Sequence, residues 1–242
     1  MEDSKRRPVP ARPLPGAGVL VCGLVAASCG AEGPGANADA EASPAVAAPS
    51  ESPAAAFARF ENGWFQQPHV HVAFHVTAEG AFTADLEGEL MLAGADGVFL
   101  TARGTFGGEA VDLTLNTRAG RMTGGRAEQT FDEPIPSDLR SGVAIGFTRM
   151  GILHNLARLT GALPPEHTDG TVRGWLEAHD LAWIPADGSN AAPGLRFALS
   201  VDGVPAADAT LWLGPAGEPL RREVTLRFPG EELRVTERYQ VQ

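Results

Sequence analysis

Between His69 and Val76 the chain alternates: Val70, Val72, Phe74 and Val76 fall on one face of an extended segment, and His69, His71, Ala73 and His75 fall on the other. The two-residue period returns at Phe82, Ala84, Leu86, Leu90 and Leu92 against Thr83, Asp85, Glu87 and Glu89, and again at Leu113 and Leu115 against Asp112 and Thr114. Gly94-Ala95-Asp96-Gly97 and Gly107-Gly108-Glu109 punctuate these runs as turns. The pattern predicts an antiparallel meander with one apolar and one solvated face. Before it, Phe57, Phe60, Trp64 and Phe65 keep helical spacing and predict a short amphipathic helix that opens the domain.

Asp132-Glu133-Pro134-Ile135-Pro136 ends the alternation, and Ser137 is placed to cap a helix running to about Thr160. That helix carries two apolar stripes. Leu139, Val143, Phe147, Met150, Leu153 and Ala157 form one; Ile145, Ile152, Leu156 and Leu159 form the other, roughly opposite. A helix that needs cover on two sides is sandwiched or roofs something. Gly142, Gly146 and Gly151 each weaken it by about 1 kcal/mol relative to Ala, so a break or a loose segment is expected. Strand patterns then resume at Val172 to Trp183, Leu195 to Val201, Ala209 to Leu213, Arg221 to Phe228 and Leu233 to Val241, giving eight to ten strands and two or three helices in all. Gly214-Pro215-Ala216-Gly217-Glu218-Pro219 and Pro229-Gly230-Glu231-Glu232 supply hairpin turns, and Arg221-Arg222 reads as a wet strand edge.

The N-terminus has a different logic. Lys5, Arg6, Arg7 and Arg12 precede an apolar run from Leu14 to Ala27, too short to span about 30 Å of hydrocarbon, which is the layout of an export signal. Ala26-Ala27-Ser28-Cys29 resembles the lipobox of bacterial lipoprotein precursors. The resemblance implies removal of residues 1–28 and lipidation, with palmitate among the acyl groups, of Cys29. Ordinary secretion with a nearby cleavage is the plainer alternative. Cys22 leaves with the signal, so the mature chain keeps one cysteine, forms no internal disulfide and has no thiolate metal site. Gly30, where an aspartate would favour inner-membrane retention in many diderm bacteria, tilts the expectation towards the outer membrane.

Composition changes the picture in two ways. Residues 29–56, nearly all Ala, Gly, Pro, Ser and Glu after the cysteine, bury too little apolar surface to offset the entropy of ordering them and read as a tether. As a flexible chain it would hold the domain, residues 57–242, on the order of 30 Å from the membrane. Removing the four basic and two acidic residues of positions 1–28 from the 19 and 30 of the whole chain leaves a net charge of −13. Nucleic acid is therefore not expected as a partner.

In the order of its elements (signal and tether, N-terminal helix, antiparallel strands, inserted helical segment, closing strands), the chain resembles the lipoprotein-carrier superfamily of LolA/LolB-like envelope proteins. The segment Leu211-Trp212-Leu213-Gly214-Pro215-Ala216-Gly217-Glu218-Pro219-Leu220-Arg221-Arg222-Glu223-Val224 is similar to that group's penultimate hairpin. The resemblance implies a mainly β fold of the α+β kind, an incomplete antiparallel barrel or curved sheet with an N-terminal helix and an inserted helical lid. It also implies an acyl chain or other amphiphile held between sheet and helices, and it brings no catalytic residues or cofactor. Residues expected to line such a cavity are Val72, Phe74, Leu86, Leu90, Leu113, Phe147, Met150, Leu153, Phe197 and Leu199. The alternative is that they fill a dry core and the domain is a scaffold for other envelope proteins.

A third possibility is zinc. His69 and His71 project from the same side of a strand about 6–7 Å apart, close enough to share the ion. His75 lies farther along, and further ligands would have to come from residues such as His167, His179, Asp169 or Asp180. A solvated strand face is the default. No Gly-x-Ser-x-Gly supports a nucleophile-elbow hydrolase, and Gly104-Thr105-Phe106-Gly107-Gly108 lacks the Lys-Ser/Thr of a phosphate loop.

Overall fold

A computed structural model describes residues 50–127, 129–163, 176–186 and 192–242. Cys29, the export signal and most of the tether lie outside the described residues, as do His167, Asp169 and the start of the strand expected at Val172.

The opening helix α1, Pro53–Gln66, starts four residues before the domain boundary expected at Phe57. Local chemistry explains the early start: the Ser52 hydroxyl accepts a hydrogen bond from the Ala55 N–H, and Pro53 occupies the first turn, where its missing N–H costs nothing. The Trp183 indole donates to the Glu51 carbonyl at 2.9 Å, so the end of the segment expected to be tether is docked on the domain. Ala56, Phe57, Phe60, Glu61 and Trp64 form the buried face.

Six strands follow as a meander: β1 (His69–Gly80), β2 (Ala84–Ala93), β3 (Gly97–Phe106), β4 (Glu109–Arg118), β5 (Arg121–Arg126) and β6 (Gln129–Pro134). The helical insertion is α2 (Leu139–Ile145), a π-helical turn (Gly146–Met150) and α3 (Ile152–Thr160). Five more strands close the chain: β7 (Leu176–Ile184), β8 (Gly194–Val201), β9 (Val204–Leu213), β10 (Pro219–Phe228) and β11 (Glu231–Val241). The helix expected from Ser137 carries the break expected of its glycines, at Gly151, and α2 has Asp138 rather than Ser137 at its N-cap.

All eleven strands form one antiparallel sheet in the order β6-β5-β4-β3-β2-β1-β11-β10-β9-β8-β7. Every neighbour but one is also a neighbour in sequence; the exception is β1 against β11, which joins the two halves. Among the described residues the sheet is open, with β6 and β7 at its edges, and the helical insertion lies between these two strands in sequence. This is the incomplete barrel with an N-terminal helix and an inserted helical cover expected from the sequence. Period-two burial puts Val72, Phe74, Val76, Leu86, Leu90, Leu113 and Leu115 on the inner face with the helices and their charged neighbours outside. α3 packs on β4 and β5, α2 on β3, and α1 on α2 and β7.

Candidate functional site

Of the ten residues expected to line a cavity, nine are buried members of one apolar cluster: Val72, Phe74, Leu86, Leu90, Leu113, Phe147, Leu153, Phe197 and Leu199. Met150 is half-buried and packs against it. The space between sheet and helices is taken up by aromatic rings. Phe57 of α1 sits 4.9 Å from Phe197, and Phe147 sits 4.1 Å from Trp64 and 5.1 Å from Tyr239, centroid to centroid. These rings hold the helices to the inner face by close packing, which contributes about 0.5–1.5 kcal/mol per aromatic pair beyond the area buried.

The break in the helical insertion is held by a buried ionic group that the sequence reading missed. Arg222 and Glu237 stand directly opposite each other on β10 and β11, both fully shielded from solvent, with Nη1 and Oε2 3.9 Å apart. Arg222 donates to the carbonyls of Phe147 and, at 2.6 Å, Thr148, the open end of the π-helical turn. Glu237 accepts the Leu153 N–H at 3.0 Å in the first turn of α3, and the Tyr239 hydroxyl donates to it as well. A cation therefore meets the carbonyl end of one helix and an anion the amide end of the next, each where the helix dipole favours it. Gly151 makes the approach possible. Its φ is +91°, and a Cβ there would lie 2.5 Å from both Glu237 carboxylate oxygens. Arg222 is consequently not at a wet edge as expected: it shares the inward phase of Val224 and is the largest wholly buried side chain among the described residues.

Burial, reinforced by the Glu237 carboxylate and opposed by Arg222, holds the Tyr239 hydroxyl well above its ordinary pKa of 10.0. Tyr239 is the only tyrosine in the chain, so tyrosinate absorbance reports on it alone. A folded-state pKa above the unfolded one means that its contribution to stability is complete below the unfolded value and is lost as pH rises towards the folded one. An alkaline titration is expected to show tyrosinate appearing together with loss of the sheet's circular dichroism. Ionisation near pH 10, about the free-tyrosine value, with the fold intact would contradict this placement.

Two further arginines tie the helices together. Arg149 pairs with the buried Glu61 of α1 at 2.6 Å and donates to the Leu176 carbonyl on β7. Arg140 donates to the carbonyls of Phe65, at 3.1 Å, and Gln67, closing the C-terminal end of α1. Glu61 lies between Phe60 and Trp64 on the apolar face of α1, a position where a carboxylate needs a partner.

The histidines of β1 face outwards. His71 lies 3.4 Å from Glu89 and His75 lies 2.8 Å from Asp85, each across one strand, while His69 is exposed at the strand start. Among the described residues no three His, Cys, Asp or Glu side chains converge as a metal site requires. His179 bridges Ser200 Oγ, 2.7 Å from Nε2, and Asp180 Oδ2, 2.9 Å from Nδ1. This chain of bonds has the residue types of an acyl-transfer triad but not its setting, since Asp180 is open to water where the triad's carboxylate is buried. It acts as a clip between β7 and β8 at the bulge where their register shifts.

No protein-family model matches the chain, and no curated protein matches it. Among solved structures it is similar to a beta-barrel-like protein of the domain of unknown function DUF1849 from Brucella abortus, at 10% identity over 73% of this chain and 99% of that one, with a TM-score of 0.31. It is also similar to a LolA superfamily protein from Nitrosomonas europaea, at 9% identity over 79% of this chain and 92% of that one, with a TM-score of 0.31. No described helix is long and apolar enough to cross a membrane.

Proposed function

We propose that the chain is a non-enzymatic lipoprotein of the bacterial cell envelope, anchored through Cys29, whose domain takes up the acyl chain of an amphiphile between the inner sheet face and the helices. The observation that carries this reading is the construction of the roof. Among the described residues the apolar face is covered by a helical segment broken at Gly151 and not by a second sheet. Because Arg222 holds the end of the π-helical turn and Glu237 the first turn of α3, movement of the cover would pivot at this break, and an acyl chain would enter between α3 and the β4–β5 side, next to Leu113 and Leu115. Each buried methylene contributes about 0.8 kcal/mol, so about six offset the loss of a few kcal/mol of helix packing. The anchor would keep the domain at the membrane that supplies such molecules, with the outer membrane favoured by Gly30.

A full chain carrying Cys29→Ala, stripped of lipid, is expected to take up a fluorescent fatty acid saturably and one to one, and the unmodified chain to incorporate radioactive palmitate that Cys29→Ala does not. Absence of saturable uptake removes the carrier reading; absence of Cys29-dependent palmitate removes the anchor. The second reading, a scaffold with a filled core, draws on the dense packing of Phe57, Trp64, Phe147 and Phe197, and in that case uptake fails while in-cell crosslinking captures envelope proteins.

A further inference from the structure

On the outer face of the sheet, away from the helices, Arg221, Arg238 and His75 stand directly opposite one another on β10, β11 and β1. Thr236 and Thr77 form a neighbouring cross-strand pair. These five side chains line a pocket of about 270 Å³. Each of them can donate hydrogen bonds, and no carboxylate lines the pocket, in a chain with 30 acidic residues against 19 basic ones.

Like charges directly opposite on adjacent strands repel, and of Arg221 and Arg238 only Arg221 has a carboxylate beside it, Glu223, so a further anion would favour the pair. Two carboxylates outside the lining pair with pocket residues and a third pairs with a neighbouring arginine, which leaves the Arg238 charge to be matched. Asp85 holds His75 at 2.8 Å, Glu87 holds Arg103 at 2.9 Å, and Glu223 holds Arg221. Among the described residues Arg238 has no ion-pair partner. Arg221 is oriented in advance, its guanidinium stacked 5.1 Å from the centroid of the buried Trp212 ring, which lies outside the apolar core cluster. Two guanidinium forks, an imidazole and two hydroxyls around a small concavity match the several oxygens of one tetrahedral oxyanion.

We propose that this pocket is a binding site for a phosphate group, with Arg221 and Arg238 as its charged ligands and Thr77, Thr236 and His75 completing the shell. The site is independent of the interior, because it opens on the opposite face of the sheet. The phosphate has two possible sources, a free ion in solution or the headgroup of a phospholipid in the membrane beside the domain.

Both sources are tested with the full chain carrying Cys29→Ala. Inorganic phosphate is titrated while the His75 ring and arginine Nε–H signals are followed by NMR, and flotation is measured on phosphatidylcholine vesicles with and without phosphatidic acid. Binding in either arm is expected to weaken at least about tenfold in Arg238→Gln and in Arg221→Gln, the loss of one charge-assisted fork. Arg234→Gln, exposed on the same strand outside the pocket, is expected to bind like the parent. Loss confined to the phosphate arm assigns a free ion, and loss confined to the vesicle arm assigns a headgroup. Binding in neither arm, or binding that Arg234→Gln weakens as much as Arg238→Gln does, overturns the proposal.

Discussion

Glu237→Ala is expected to destabilise the domain by about 3–5 kcal/mol, the usual cost of removing one partner from a buried ion pair. Three groups lose their partner at once. Arg222 keeps a full charge with no carboxylate beside it, the Leu153 N–H loses its acceptor at the start of α3, and the Tyr239 hydroxyl is left without an acceptor in an apolar setting. Arg222→Met with Glu237→Leu is expected to recover part of the loss, since no buried charge remains, but not all, because the Phe147 and Thr148 carbonyls lose their donor. The measurement is the urea midpoint at unchanged slope. A loss below about 1 kcal/mol for Glu237→Ala, the scale of a surface pair, would show that the pair does not hold the helix break.

Phe147→Ala is expected to cost about 3–5 kcal/mol as well, for a different reason: it opens a cavity where Trp64, Tyr239 and the Arg222 guanidinium converge on one ring. The two variants also respond differently to ligand. If an acyl chain occupies this interior, saturating fatty acid should raise the urea midpoint of Phe147→Ala more than that of the parent, because the deleted ring adds room inside the same apolar cluster. Equal midpoints with and without fatty acid in both proteins would favour the filled scaffold.

Much of the fold was legible in the sequence because one-sided burial imposes a strict period. β1, β2, β4, β8, β10 and β11 follow alternation that can be read directly, and the open sheet with its inserted helices was what the resemblance carried by the order of the elements implied. β5 and β6 were not legible: Arg121–Arg126 contains two consecutive glycines, and Gln129–Pro134 has Phe131 as its one buried residue, so neither shows an apolar period. The early start of α1 was hidden by composition, since Pro53 and three alanines look like tether until Ser52 is seen to cap them.

The inner-face positions of these residues were legible because apolar residues in phase identify that face whatever fills it. The ionic group was missed for the converse reason. Arg222 and Glu237 are in phase with Val224, Val235 and Tyr239, so a charge on the inward register was visible, but without knowing that β10 and β11 are central strands it looked like solvent exposure. A charged residue that keeps the apolar phase of a strand is the signal that would have found both. The phosphate pocket left no such trace, because its residues come from three strands and meet only through the pairing of β11 with both β1 and β10.

The most direct test of the account is where a bound acyl chain lies. A fatty acid carrying a photoreactive group near its tail, crosslinked to the lipid-free chain and mapped by peptide mass spectrometry, is expected to label inner-face residues of β4 and the insertion, such as Leu113, Phe147 and Leu153. Labelling spread over the outer rows of the sheet, or none above a denatured control, would contradict it.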